Sequence, residues 1–200
     1  MKTTFNDLIA AGKPITADGG MGTMLFAAGL KQGACPELWN VERVDDVRAI
    51  HRAYIEAGAQ IVLTNTFGGN PLRLDSHDQG ARAEELNKAG AELARAEADA
   101  AAHPVVVGGS IGPTGIMLAP MGTLSFEDAV AAFTTQAKGL AAGGVDIFWV
   151  ETMSDLEEVR AAIEACRAVA PDMPIVATMT FDTHGRTMMG TKPEKAAQIL

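Results

Sequence analysis

Five short apolar runs rich in β-branched residues recur along this chain, and helical periodicity follows the first four. The runs are PIT at 14–16, QIVLTNTF at 60–67, PVVVGGS at 104–110, VDIFWVET at 145–152 and PIVATMTF at 174–181. In SDLEEVRAAIEACRAVA, Leu156, Val159, Ile163, Cys166 and Ala170 fall on one helical stripe, and Ser154 with Glu157 reads as a capping box. Similar stripes run through Val47, Ile50, Tyr54 and Ala57, and through Val130, Phe133, Ala137 and Leu140 behind a Ser125 cap. Ala81 to Ala102 reads as a long Ala/Glu-rich helix, and another begins near Pro193. Strands alternating with helices imply right-handed βαβ units and a parallel sheet, whose strands are continuously apolar because both faces are covered. That leaves a doubly wound sheet or a barrel.

Two nucleotide-binding readings fail on spacing. DGGMGTM lacks the G-x-G-x-x-G of a dinucleotide turn, and GGSIGPTG lacks the lysine of a phosphate-binding loop. The polar residues instead collect at successive strand ends: Asp18, then Thr64, Asn65 and Thr66, then Ser110, then Glu151, then Thr178 and Thr180. One contribution per strand end is how a (β/α) barrel builds its site. A closed eight-stranded barrel takes about 250 residues, so these 200 residues read as a single domain, 1–200, holding about the first five βα units. Open sheet edges would then call for further chain or self-association.

Composition narrows the partners. A formal charge of −9 argues against nucleic acid and anionic membrane surfaces. No apolar run approaches the roughly 18 to 20 residues of a membrane span, and MKTTFNDLIAAGK has no apolar core of secretory type, so a cytoplasmic protein is expected. Cys35 and Cys166 are too few and too far apart for a disulfide framework or a metal motif, and Cys166 sits on a core stripe.

DGGMGT at 18–23, PELWN at 36–40, LTNTFGGN at 63–70, GGSIGPTG at 108–115 and VETMSDLEE at 150–158 closely resemble the homocysteine S-methyltransferase family. That family includes betaine–homocysteine methyltransferases and the homocysteine-binding module of cobalamin-dependent methionine synthase. The resemblance implies a (β/α)8 barrel with homocysteine at the C-terminal mouth, its sulfur on zinc and its amino-acid end on early strand ends. It implies that Asp18, Gly19 and Gly20 hold the amino-acid end, that Thr64, Asn65, Thr66 and Phe67 shape the adjoining wall with Ser110 beside them, and that Glu151 accepts the substrate ammonium. The chemistry is consistent: glycine permits close backbone approach, free amides suit a carboxylate, and a carboxylate suits an ammonium. Implied partners are homocysteine and a small methyl donor, whether betaine, a methylfolate acting through cobalamin, or a sulfonium compound. The product is methionine.

Each assignment has a structural alternative. Thr64, Asn65 and Thr66 could satisfy backbone groups at a strand end. Glu151 follows Val145, Ile147 and Trp149 at even spacing, so it shares their strand face, and a salt bridge to a neighbouring strand could account for it. Asp155, Glu157 and Glu158 read as solvated residues of a helix N-terminus. His51, His77, His103 and His184 show no ligand spacing and read as surface or loop residues, and GIMLAPM and RTMMG read as flexible apolar packing. The family's zinc rests on three cysteines, one after the sixth strand and a later adjacent pair, and neither Cys35 nor Cys166 matches them. The chain therefore reads as the amino-acid-binding half of such an enzyme, inactive alone and without its own zinc ligands. The alternative is a truncated, non-catalytic relative that serves as a binding or assembly module.

Overall fold

The computed structural model describes residues 4–182 and 184–200. Along the chain run α1 (Phe5–Ala10), α2 (Met21–Ala27), α3 (Trp39–Glu42), α4 (Val44–Glu56), β1 (Ile61–Leu63), α5 (Pro71–Leu74), α6 (Ala83–Asp99), β2 (Val106–Ile111), α7 (Phe126–Ala142), β3 (Ile147–Met153), α8 (Leu156–Val169), β4 (Ile175–Met179) and α9 (Pro193–Ile199). The four strands pair in parallel in sequence order, β1-β2-β3-β4, without the reversal of a doubly wound sheet. The expected first strand shrinks to one parallel bridge between Ala17 and Ile61. Thr16 O accepts from Gln60 N at 2.7 Å, and Asp18 N donates to Ile61 O at 2.9 Å. Pro14 offers no donor and the glycine pair ends the run at once, so little more can form.

Side-chain alternation splits the core into two layers. On the outer face Val62, Val107, Ile111, Phe148 and Val150 pack with residues of α6, α7 and α8, including Ala91, Phe133, Leu140, Val159 and Cys166. On the inner face Ile61, Val106 and Ile147 meet half-buried Leu63, Trp149 and Val176, and Phe5 and Leu8 of α1 pack against them. Val145, expected on Glu151's face, joins the outer layer because it precedes the strand. A bulge between Val150 and Met153 adds one residue to β3, which turns Met153 into the outer core as well.

Helix signals held with local corrections. Ser125 caps α7 by accepting from Asp128 N at 3.0 Å. The α8 cap is Asp155 rather than Ser154, its carboxylate accepting from Glu157 N at 2.9 Å. Glu97 on α6 is buried and receives Arg48 Nε at 2.6 Å and Arg52 Nε at 2.9 Å, joining α4 to α6. Beside it His51 is completely buried, not on the surface, and neither ring nitrogen has a hydrogen-bond partner. Desolvation pushes it down to about 4. Helical spacing put His51 on the inward stripe beside Ile50 and Val47, a position the expectation overlooked. The methionine-rich segments also differ from expectation: Met117, Met121 and Met188 are exposed rather than packed. No helix among the described residues is long and apolar enough to cross a membrane.

Candidate active site

The C-terminal ends of the strands open onto a cavity of about 480 Å³. All nine residues expected from the sequence line it: Asp18, Gly19, Gly20, Thr64, Asn65, Thr66, Phe67, Ser110 and Glu151. They divide into groups that face the space and groups that brace its wall.

The bracing residues are the two threonines and the asparagine. Thr64 Oγ1 and Thr66 Oγ1 lie 2.6 Å apart, Ser110 N donates to Thr64 Oγ1 at 3.0 Å, and Thr66 Oγ1 donates to Ser110 O at 2.8 Å. Gln136 of α7 closes this knot from behind by donating to Thr66 O at 2.7 Å. Asn65 donates to Pro36 O at 2.8 Å and to Asn40 Oδ1 at 3.0 Å, while Asn40 donates to Asn65 O at 2.9 Å. These side chains are occupied in fixing the turn after β1, as buried polar groups must be. Phe67 covers Gly112, where a Cβ would come 2.6 Å from the ring, so that glycine lets the aromatic wall approach the sheet.

Asp18 and Glu151 are the acidic groups of the floor. Asp18 Oδ2 accepts from Leu63 N at 2.8 Å. Burial pushes its carboxyl up to about 6, the Leu63 amide opposes this, and the nearby Glu151 charge adds to the rise. Glu151 Oε1 accepts from Ser110 Oγ at 2.6 Å, and burial raises this carboxyl too, against the Ser110 bond. Neither acid has an ion-pair partner among the described residues, so the salt-bridge alternative for Glu151 finds no support there. Two partly desolvated carboxylates with no ion-pair partner among the described residues give this part of the cavity a negative field. Beside them Gly20 caps α2 with no side-chain bond, while its carbonyl accepts from Tyr54 Oη and Thr23 Oγ1. At Gly19 a Cβ would be tight, 3.0 Å from Tyr54 Oη.

Among the lining residues not singled out from the sequence are Glu37, Gly68, Arg73 and His77. Glu37 is buried and accepts from Gly68 N at 2.7 Å. It stands inside PELWN, so a carboxylate within an otherwise uncharged motif was the available signal. His77, expected as a surface or loop residue, is half-buried in the cavity wall. His103 lies behind β1, its Nε2 at 3.0 Å from Ala59 O, and His184 is exposed as expected. Glu158, expected in solvent, is buried and accepts from Thr114 Oγ1 at 2.6 Å and Thr114 N at 2.8 Å, tying α8 to the loop after β2. Burial raises its carboxyl.

The profile of the homocysteine S-methyltransferase family matches residues 15–200, and the chain belongs to that family. It is similar to methionine synthase of Mycobacterium tuberculosis (36% identical, 89% of this chain and 16% of the relative) and of Mycobacterium leprae (34% identical, 91% and 16%). The chain thus spans about 16% of the length of these relatives. Among solved structures it is similar to the homocysteine methyltransferase MmuM from Escherichia coli. The oxidized form gives a TM-score of 0.79 at 25% identity, covering 93% of this chain and 68% of that one. The metallated form gives 0.80 at 24% identity, covering 96% and 72%. The four-stranded sheet is accordingly part of a (β/α) barrel.

The described residues do not compose a zinc site. Cys35 is buried, donates its Sγ proton to Glu37 Oε2 at 3.3 Å, and is pushed up to about 11 by burial and the Glu37 charge. Cys166 lies in the outer core, pushed up to about 12 by burial. Both thiols are held away from the thiolate that ligation requires. Among the described residues no three His, Cys, Asp or Glu side chains group to hold a metal.

Proposed function

We propose that this chain binds the amino-acid end of homocysteine as part of an enzyme that transfers a methyl group to homocysteine sulfur. The observation that carries this is the pair Asp18 and Glu151: two partly buried carboxylates, free of ion pairs among the described residues, in one cavity. The substrate ammonium would sit between them and supply the missing charge. The substrate carboxylate would lie against the backbone at Gly19 and Gly20, which carry no side chain of their own. The reaction is an in-line displacement in which the sulfur forms a bond to the methyl carbon as the carbon–donor bond breaks. The donor leaves with the electron pair of that bond, the thiol proton passes to solvent, and methionine results. Family membership and the likeness to methionine synthases and MmuM support this reading.

Titration calorimetry tests it with two ligands, homocysteine and 4-sulfanylbutanoate, which lacks only the amino group. Homocysteine should bind about tenfold or more tightly than the deaminated analogue, the worth of one charge-assisted bond. Equal affinities would remove the ammonium from the floor.

A further inference from the structure

The residue after Glu151 holds a backbone conformation that its own side chain opposes. Thr152 has a φ of +62°, in the left-handed region that favours glycine. Threonine branches at Cβ, so this region crowds it more than it crowds Asn or Asp. Strain of this kind persists only where the surroundings over-determine it. Here they are the β3–β4 ladder. Val150 pairs with Ala177 and Met153 pairs with Met179, so Glu151 and Thr152 together face Thr178 alone. That is a bulge, and a left-handed bulge residue is ordinarily glycine. Thr152 N donates to Thr178 Oγ1 at 3.4 Å and Thr180 N donates to Met153 O at 2.8 Å, so β4 holds the bulge at Thr152 and again at Met153.

The bulge sets which way Glu151 points. In a regular strand residues three apart face opposite sides, yet Val150 and Met153 are both fully buried in the outer layer. A straight strand that kept Met153 in that layer would turn Glu151 out of the cavity, and one that kept Val150 there would swing Met153 to the cavity side. The left-handed turn reconciles the two. Glu151 then points inward between two buried anchors, onto Ser110 Oγ at 2.6 Å. Thr152 itself is exposed and does not line the cavity, and its hydroxyl makes no hydrogen bond among the described residues, so its contribution lies in the backbone. We propose that Thr152 is a positioning residue: its left-handed bulge fixes the direction of the Glu151 carboxylate, and with it the preference of the site for a substrate that carries an ammonium group. This rests on the reading that Glu151 receives the homocysteine ammonium.

Calorimetry with homocysteine and 4-sulfanylbutanoate reads this out, because only the first carries the ammonium. Proline holds φ near about −65° and cannot enter the left-handed region. Thr152→Pro should therefore cut the preference for homocysteine from about tenfold to under about threefold, with 4-sulfanylbutanoate affinity within about twofold of wild type. Added to Glu151→Gln, it should weaken homocysteine by no more than about twofold further, since both changes remove one interaction. Thr152→Gly is the rescue, because glycine takes the turn without strain. Its preference should survive and its urea midpoint should hold or rise, whereas the same change at an ordinary exposed strand position lowers stability. Thr152→Val, branched but without the hydroxyl, should keep the preference as well. A preference that survives Thr152→Pro, or an equal loss for both ligands, overturns the proposal. So does a Thr152→Gly protein that is less stable or has lost the preference, or a loss of preference in Thr152→Val; these two variants decide the matter if Thr152→Pro does not fold. A wild type that binds both ligands equally is a separate result: it overturns the ammonium reading first and this proposal with it.

Discussion

Glu151→Gln is the perturbation that the floor geometry defines best. Glutamine has the volume of glutamate and keeps an oxygen to accept the 2.6 Å bond from Ser110 Oγ, so the wall should not move. What disappears is one negative charge facing the substrate ammonium. A hydrogen bond to a charged group contributes about 1.5–3 kcal/mol, which is about 10- to 150-fold in dissociation constant at pH 7. A compensation opposes this. The Glu151 charge helps hold Asp18 at about 6, so its removal lets Asp18 ionise more readily. At pH 7 the gain is small, because a carboxyl at about 6 is already mostly ionised. At pH 5.5 wild-type Asp18 is mostly protonated while the variant's is less so, and the gap between the two proteins should narrow. Calorimetry with homocysteine at both pH values, with circular dichroism as the control for folding, measures this directly. A loss under twofold at pH 7, or a gap that widens at pH 5.5, would refute the two-carboxylate receptor.

Other outcomes follow from the same geometry. Homocysteine affinity in the wild type should fall as pH drops below about 6, because protons then compete with the ammonium for Asp18; flat affinity from pH 7.5 to 5 contradicts this. Asp18→Asn should weaken homocysteine yet stabilise the free protein. A carboxyl raised from 3.8 to about 6 costs nothing below its unfolded value and its full penalty above pH 6, about 1–3 kcal/mol, so urea denaturation at pH 7.5 should show the gain and at pH 3.5 should not. His51 has the opposite sign: folding holds it at about 4 against an ordinary 6.5, so its stabilising share is present above pH 6.5 and is lost as pH falls toward 4. His51→Leu should flatten that part of the stability profile, and an unchanged profile would contradict the buried, unpartnered ring. Gly112→Ala should displace the Phe67 ring and weaken ligand binding about tenfold with little change in melting temperature, since a Cβ there would lie 2.6 Å from the ring.

Which features were readable from sequence followed a physical division. Period-two and period-3.6 patterns report burial directly, so β2, β3 and β4 and helices α4, α6, α7 and α8 stood close to where the spacing put them. The run before Asp18 misled because one bridge to Ile61 and a three-residue strand look alike in composition. Asp18 and Glu151 were visible as acids at the ends of apolar runs. Arg73 and Glu158 were hidden because nothing local marks them. Glu158 is buried only since Thr114, 44 residues earlier, comes back to meet it, and Arg73 is placed only by Phe67, Gly68 and Gly115 around it. The threonines and Asn65 were found in the right place, while their side chains turned out to be committed to the turn itself. Long-range partners of polar groups are what a single sequence conceals.

The central claim is that Asp18 and Glu151 together hold an ammonium. A crystal structure of the protein with homocysteine bound tests it most directly. The account predicts the substrate nitrogen within about 2.7–3.2 Å of a carboxylate oxygen of each residue, with Ser110 still bonded to Glu151. A homocysteine whose nitrogen points to solvent, or which settles outside this cavity, would contradict it.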